Sequence, residues 1–151
     1  MIRGNQPTDI TIRPATVRDY AAIVEVWRAS GSHFDLQGRE SEVAYRRQLR
    51  QFPESYLVAA DGNRVVGVVL GSHDARKGWI NRLAVLPEFR RRGIAAALVI
   101  GCDAALRAKG LDIVCALVES HNTASAQLFT HLGYGKDVPV LYFRKVTPPG
   151  R

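Results

Sequence analysis

The sequence Arg90-Arg91-Arg92-Gly93-Ile94-Ala95 connects an apolar run, Trp79 to Val85, to a helical pattern that begins near Ile94. The first backbone N–H groups of a helix have no partner within the helix, and they carry partial positive charge. Three arginines and a glycine at the start of a helix therefore favour an anionic ligand, in particular a phosphate. The alternative for the same residues is a solvated turn, in which the glycine only ends the preceding segment.

Length and composition limit the classes of protein to consider. The 151 residues suit one domain with a sizeable core, and the hydrophobic and charged fractions, 46% and 23%, are those of an ordinary globular protein. No apolar run reaches the roughly 20 residues of a membrane span. The first residues also lack the apolar stretch of a secretion signal. We therefore expect a cytoplasmic protein without a membrane partner.

Charge and metal-ligand spacing narrow the choice of partners. The 21 basic and 14 acidic side chains give a formal net charge of +7, which favours acidic partners in general. The positive charge is spread along the chain, and neither zinc-finger spacing nor an aromatic RNA-binding signature accompanies it, so we expect no nucleic acid partner. Cys102, Cys115 and the four histidines show no metal-ligand spacing, and we expect no metal.

Hydrophobic periodicity predicts a single domain over residues 10–146, with flexible tails at 1–9 and 147–151. The turn sequence Asp61-Gly62-Asn63 predicts a hairpin between two of the strands. A helix connects the strand at 79–85 to the next strand, so this pair should be parallel. Strands are predicted at 10–13, 56–60, 64–70, 79–85, 111–118 and 138–146, and helices from Thr16 or Asp19 to about 30 and at 41–50, 94–109 and 122–132.

With this pattern, the chain resembles the GNAT superfamily of acyl-CoA-dependent N-acetyltransferases over roughly Ile10 to Val146. The pyrophosphate loop of that family reads Arg or Gln, two residues of any type, Gly, any residue, then Gly or Ala. Arg90 to Ala95 matches every fixed position, and Leu83 to Phe89 before it is similar to the family's strand and turn. A second family element is present as Asn122 to Tyr134.

The resemblance and the order of elements together predict the fold class. We expect an α/β fold of the α+β type, with a mixed, mostly antiparallel central sheet of six to seven strands flanked by about four helices.

The resemblance also implies coenzyme A chemistry, with acetyl-CoA as the donor. Backbone N–H groups from Arg91 to Ala96 would surround the pyrophosphate, and Gly93 would leave room for a phosphate oxygen. The pantetheine arm would lie in a gap between the 79–85 and 111–118 strands. The predicted cofactor-binding residues are Leu83, Ala84, Val85, Arg90, Arg91, Arg92, Gly93, Ile94, Ala95, Ala96, Asn122, Ser125 and Phe129.

The sequence departs from the family pattern in two respects, the usual acid and the usual base. Phe129 stands where a tyrosine commonly protonates the departing thiolate, so Tyr134, Tyr142 or water would serve instead, or the step needs no acid. Asn81 and Trp79 stand where many members carry a carboxylate on the strand before the loop.

The general base is therefore sought elsewhere. Asp74 and His73 precede the 79–85 strand, and Glu119 follows the 111–118 strand; we favour Asp74, then Glu119. Asn81 would position a water. The predicted catalytic residues are Asp74, Glu119, Asn81 and Tyr134.

The resemblance implies an N-acetyltransferase that moves an acetyl group from acetyl-CoA to a primary amine of a small molecule or peptide, by direct attack in a ternary complex. The acceptor would contact the first helical pair, at His33, Phe34, Asp35, Glu40 and Glu42. Phe129 and the missing strand carboxylate favour an alternative, a non-catalytic acyl-CoA-binding sensor module. Net charge alone favours a third, a basic nucleic-acid-binding domain. We expect a monomer or a homodimer.

Overall fold

Each strand of the sheet pairs with the strand that follows it in the chain. The computed structural model describes residues 9–148, and the strands there are paired in the order β1-β2-β3-β4-β5. The strands are β1 (Ile10–Pro14), β2 (Tyr56–Asp61), β3 (Arg64–His73), β4 (Gly78–Val85) and β5 (Val114–Ala116). The helices are α1 (Tyr20–Ser30), α2 (Glu42–Gln51), α3 (Ile94–Arg107) and α4 (Thr123–His131).

The pairing directions confirm the predicted mixed, mostly antiparallel sheet. β1 to β4 pair antiparallel, while β5 joins β4 in parallel after the α3 connection, as predicted. By contacts the chain divides into two compact units, Met1–Leu117 and Val118–Arg151, and each is described by itself. All five strands belong to the first unit, and α4 belongs to the second. No helix formed by residues 9–148 has the length and apolar character to cross a membrane.

β3 is the central strand, and its middle section is completely buried. Every residue from Val65 to Leu70 is buried, and Val66, Val68 and Val69 expose 0% of their surface. A run without polar members predicts a strand that is covered on both faces, and the structure confirms it. α1 packs against β3 and β4, and α3 packs against β2, β3 and β4.

The predicted count of six to seven strands is wrong for residues 9–148, which form five. The predicted strand at 138–146 has no paired partner, and its apolar side chains are exposed; Phe143, for example, exposes 85% of its surface. The predicted strand at 111–118 shrinks to Val114–Ala116, because only these three residues pair with β4. In both segments the apolar pattern is present, but a strand forms only where a neighbour supplies hydrogen bonds. The tail residues predicted at 1–8 and 149–151 lie outside the described residues.

The start of α1 is held by a buried carboxylate. Asp19 is 7% exposed, and it accepts two hydrogen bonds from the Arg13 guanidinium, at 2.8 and 2.9 Å, and one from the backbone N–H of Thr16, at 2.7 Å. Thr16 in turn accepts from Arg18 N–H, which completes a capping box before the helix. The hydrogen bonds from Arg13, more than any other cause, hold the pKa of Asp19 below its ordinary value.

Asp19→Asn is therefore expected to lower the free energy of unfolding at pH 7 by about 1–3 kcal/mol. A carboxylate whose pKa is lowered by folding stabilises the protein above its unfolded pKa of about 3.9, and this contribution disappears as pH falls. In urea unfolding, the difference between wild type and variant should therefore shrink between pH 5 and pH 3. Glu42→Gln, which breaks an exposed pair with Arg46, serves as the control and should cost less than about 1 kcal/mol. A difference for Asp19→Asn that is constant with pH would contradict this account.

Gly71 allows close packing of α3 on the sheet. A Cβ added there would lie 2.5 Å from Cys102 Sγ and 2.8 Å from Ser55 Cβ, and both neighbours are buried. Ser55 Oγ also donates to Gly71 O at 2.6 Å, so the strand cannot shift freely. Burial raises the pKa of the Cys102 thiol to about 12. Cys102 is thus a packing residue with little thiolate character.

Gly71→Ala should accordingly lower the free energy of unfolding by about 1–3 kcal/mol through overpacking. Gly135→Ala is the matched control, because an added Cβ at Gly135 meets no atom within 4 Å. Thermal unfolding of both variants measures the difference. Equal melting temperatures for the two would show that the core at Gly71 adapts without cost.

Candidate active site

The arginine loop forms a sharp turn before α3. Arg91 and Gly93 both have left-handed backbone, with φ of 62° and 76°. Glycine adopts this conformation at little cost, and a Cβ at Gly93 would meet no atom within 4 Å. The space above Gly93 is therefore open to a ligand, and Gly93 itself is exposed.

The N-terminus of α3 presents unused hydrogen-bond donors to this open space. The N–H of Ala97 bonds to Gly93 O at 3.0 Å, while those of Ile94, Ala95 and Ala96 have no acceptor among residues 9–148. No side chain caps the helix at Gly93. Free N–H groups at a helix N-terminus form an anion-binding site, and the three neighbouring arginines add positive charge.

The three arginines differ in how firmly they are held. Phe89, which is buried, has the guanidinium of Arg92 over its ring at 4.9 Å and that of Arg64 at 5.4 Å. Arg90 Nη2 donates to Ser30 O at 3.4 Å. Arg91 is exposed and has no side-chain partner in the part of the chain that the structure describes. Of the three guanidinium groups, that of Arg91 is thus held by the fewest contacts, while that of Arg92 packs on Phe89 beside the loop.

β4 has one edge without a strand partner directly before this loop. Its first residues, Gly78 to Ile80, pair with Val114 to Ala116 of β5. From Asn81 to Val85 no described strand pairs with that edge, although β3 continues on the other side. The open edge contains Leu83, half-buried, and Ala84 and Val85, both buried.

β4 also contains a β-bulge. Val68 pairs with Ala84 and Leu70 with Asn81, so two residues of β4, Arg82 and Leu83, lie opposite one residue of β3. Arg82 takes a left-handed backbone conformation with φ of 57°, which is strained for a residue with a side chain.

A cavity of about 220 Å³ lies beside the bulge within the first unit. The Arg82 guanidinium lies 4.6 Å from the centre of the Trp27 ring, and its Nη1 donates to His33 O at 2.7 Å. Burial lowers the pKa of Arg82, and the nearby Glu40 carboxylate opposes this shift. The cavity is lined by Trp27, Arg39, Glu40, Gln48, Tyr56, Leu70, Asn81 and Arg82.

Of the five residues predicted to contact the acceptor, Glu40 lines this cavity. It is 6% exposed, and its Oε2 accepts from the backbone N–H of Asp35 at 2.9 Å. Phe34 packs near Trp27, with ring centres 6.2 Å apart. His33, Asp35 and Glu42 are exposed.

The predicted bases in the first unit have different surroundings. Asp74 is exposed, and its Oδ1 accepts from the backbone N–H groups of Arg76 and Lys77, at 2.9 and 2.8 Å. These bonds lower its pKa, which makes Asp74 a weaker base than an ordinary carboxylate. Asn81 lines the cavity, and its amide nitrogen donates to Ser72 Oγ at 3.0 Å. Its amide oxygen is available to accept from a ligand or water.

The other predicted residues lie in the second unit. Asn122 caps α4, because its side chain accepts from Ser125 N–H at 3.1 Å. Phe129 is buried, and the Tyr134 ring packs edge-to-face against it with ring centres 5.1 Å apart. Glu119 is exposed, and its carboxylate lies 3.2 Å from His121 Nε2.

Comparison with known proteins identifies the family. A model of the Acetyltransferase (GNAT) family matches residues 20–134, more than half of the chain. The chain belongs to the GNAT acetyltransferase family. An acetyltransferase of Photorhabdus laumondii is 33% identical over 118 residues, which cover 77% of this chain and 80% of that protein. An acetyltransferase of Pectobacterium atrosepticum is 31% identical over 118 residues, covering 77% and 81%.

A solved structure shares the fold. The PaiA N-acetyltransferase of Thermoplasma acidophilum, solved in complex with coenzyme A, superposes with a TM-score of 0.76 at 18% identity, covering 85% of this chain and 91% of that one. The family match and the relatives establish a GNAT acyltransferase. No group of three or more His, Cys, Asp or Glu side chains among residues 9–148 is arranged to hold a metal ion.

Sequence reasoning missed Arg82 and Trp27 as residues of the cavity. Trp27 fits the apolar face of α1, so periodicity assigns it to the core. Arg82 left a readable signal, because Asn81-Arg82 interrupts the otherwise apolar run from Trp79 to Val85. A charged residue within a strand that is otherwise apolar requires a buried partner or a ligand.

Proposed function

We propose that this GNAT protein is an acetyl-CoA-dependent N-acetyltransferase that acts on a primary amine of a small molecule or peptide. The observation that supports the proposal most directly is the loop at the start of α3, with unpaired N–H groups, exposed arginines and open space above Gly93. This arrangement suits a pyrophosphate. The structure of a relative with the same fold contains coenzyme A, which supports the same donor.

The donor would supply a thioester, whose carbonyl carbon is open to attack by a neutral amine. Backbone N–H groups of Ile94, Ala95 and Ala96 would bind the pyrophosphate, with Arg91 and Arg92 adding charge. The unpaired edge of β4 from Leu83 to Val85 would hold the pantetheine arm through backbone hydrogen bonds. These hydrogen bonds would replace the ones that a neighbouring strand would otherwise make with the same backbone groups.

Acetyl transfer forms one N–C bond and breaks one C–S bond, and overall one proton passes from the amine to the thiolate. We assign the positioning of the amine, or of a water that accepts its proton, to the amide oxygen of Asn81. Asp74 ranks lower because its turn holds its pKa down. Glu119 stays a candidate in the second unit.

We assign protonation of the thiolate to Tyr134. Phe129 occupies the place where family members commonly carry a tyrosine, and it cannot donate a proton. The Tyr134 ring packs on Phe129 and brings a phenol next to that position. Ser125 and Asn122 at the start of α4 would also contact the donor, as the resemblance implies.

A catalytic role is favoured over a sensor module, because the curated relatives are acetyltransferases and a cavity with polar groups lies beside the β4 bulge. A protein that only binds the donor has no need of a second site for an amine. A panel of amines with acetyl-CoA separates the two, because an enzyme releases free thiol steadily and a sensor does not.

Gly93→Glu should weaken coenzyme A binding by at least about tenfold, because the new side chain enters the space proposed for the pyrophosphate and adds like charge. Gly110→Glu is a matched control, since Gly110 also has left-handed φ, 85°, and open space around it, at the other end of α3. Both variants therefore carry the same strain and the same charge. Calorimetric titration with coenzyme A measures the affinities. Equal losses in the two variants would refute the proposed loop.

Tyr134→Phe should lower kcat by about tenfold or more, with little change in acetyl-CoA affinity, because it removes the proposed acid. Adding Phe129→Tyr to that variant should restore turnover, since it places a phenol at the position common in the family. Tyr142→Phe, an exposed position, is the control. Thiol release under saturating acetyl-CoA reports the rates, and full turnover by Tyr134→Phe would mean that Tyr142 or water serves instead, or that no acid is needed.

A further inference from the structure

Two side chains in the cavity beside the β4 bulge leave hydrogen-bond donors unused. Among the buried side-chain polar atoms of residues 9–148, Trp27 Nε1, Arg82 Nε and Arg82 Nη2 have no hydrogen-bond partner. All three are N–H donors, and both residues line the cavity. A buried donor without an acceptor is unfavourable, so this cavity suits a ligand that brings acceptor atoms.

The two free donors of Arg82 are adjacent. Nε and Nη2 form one edge of the planar guanidinium, and their spacing matches the two oxygens of a carboxylate. Nη1 is already used, because it donates to His33 O at 2.7 Å. Glu40 Oε1 lies 3.8 Å from Nε, which is beyond hydrogen-bond range, and Glu40 Oε2 accepts from Asp35 N–H instead. Glu40 therefore leaves this edge of Arg82 without a hydrogen bond.

Charge and size limit what the ligand can be. The charged residues of the lining are Arg39, Arg82 and Glu40, so two positive charges against one negative leave a formal charge of +1. An anionic group is favoured over a cation. The volume of about 220 Å³ is below the roughly 300–1,000 Å³ of sites for drug-sized ligands, which indicates a small molecule or the end of a larger one.

The cavity also lies where an acceptor is needed. Asn81 and Arg82 line it, and they directly precede Leu83 to Val85, the β4 edge assigned to the donor. The β-bulge at Arg82 and Leu83 lies between the part of β4 that lines the cavity and the part assigned to the donor. The Arg82 side chain contacts Trp27 of α1 and the loop before α2, while the backbone that follows it has an open edge.

We propose that the acceptor is a small amine that bears a carboxylate, and that Arg82 binds this carboxylate through Nε and Nη2. Trp27 Nε1 supplies a further donor to the same group. This proposal rests on the proposed acetyl transfer and names the class of acceptor. It makes Arg82 a specificity-determining residue at the acceptor site.

Amino acids paired with their own α-carboxamides test the proposal. Each pair shares a side chain and a primary amine and differs only in the carboxylate, and thiol release with acetyl-CoA gives kcat/KM for each member. The carboxamide has the less basic amine, so a larger share of it is neutral at pH 7, which works against the expected result. In parallel, calorimetry measures binding of N-acetyl amino acids and their carboxamides to the protein with coenzyme A present.

The wild type should prefer the carboxylate member of the best pair by about tenfold or more, in kcat/KM and in affinity. Arg82→Lys keeps the positive charge but loses the paired Nε and Nη2 donors, and it should remove most of this preference. Arg28→Lys is the matched control. Arg28 also lies over an aromatic ring, that of Phe34 at 6.0 Å, but it does not line the cavity.

Equal use of acid and carboxamide by the wild type would overturn the carboxylate site and leave acetyl transfer intact. A preference that survives in Arg82→Lys would overturn the role of Arg82. If a carboxylate binds and the binding needs Arg82, but no amine is turned over, the proposed function is overturned and the carboxylate site is supported. If the protein shows no carboxylate binding and no turnover, both proposals are overturned. If Arg82→Lys fails to fold, Trp27→Phe removes one donor and keeps a ring under the guanidinium, and it should lower the preference about threefold. An unchanged preference there would contradict the proposal.

Discussion

The structure around the candidate site depends on how β4 is paired. Along one edge β4 is bonded to β3 over nearly its whole length, while along the other it is bonded to β5 through three residues only. The backbone N–H and C=O groups along the unpaired edge need hydrogen-bond partners from another source. Because the same strand leads into the loop and α3, the open edge and the free N–H groups of the helix are fixed relative to each other by covalent connection.

The β-bulge in β4 sets the backbone conformation of Arg82. One extra residue places Arg82 in a left-handed conformation that costs about 1–2 kcal/mol for a residue with a side chain. Contacts with Trp27 and His33 offset this strain in the folded protein. Strained residues persist where surrounding structure holds them, and such places are frequently functional. The bulge explains how one strand combines an unpaired backbone edge at Leu83 to Val85 with a charged side chain at Arg82 that turns toward the cavity.

The sequence was sufficient for the parts of the fold that local patterns determine. The apolar run in β3, the turn between β2 and β3, the cap at Thr16, one of the two predicted positions, and the helical spacing in α3 each have a local physical cause, and each is present. The parallel pairing of β4 and β5 followed from their connection.

Other features depend on long-range pairing and could not be predicted locally. The shortness of β5 and the absence of a strand at 138–146 follow from which backbone groups find partners. Residues of the candidate site are likewise predictable only where they are adjacent in sequence. The arginine loop is contiguous and was predicted as a phosphate-binding loop, whereas the cavity combines residues from α1, the loop before α2, α2, and strands β2 to β4.

The charge of the cavity beside the β4 bulge bears on how the protein could work without a carboxylate at Trp79 or Asn81 of β4. A protonated amine cannot attack a thioester, so an acceptor must lose a proton before reaction, and a carboxylate base is one way to remove it. With a carboxylate-bearing acceptor bound, the two guanidinium groups of the cavity would face one carboxylate of the protein and one of the ligand, so no surplus negative charge would hold the amine in its protonated form. A carboxylate on the acceptor, held by Arg82, would anchor the molecule and leave its amine free to lose a proton. In such a site the amide of Asn81 would position a water molecule, and that water would take up the proton that the amine loses.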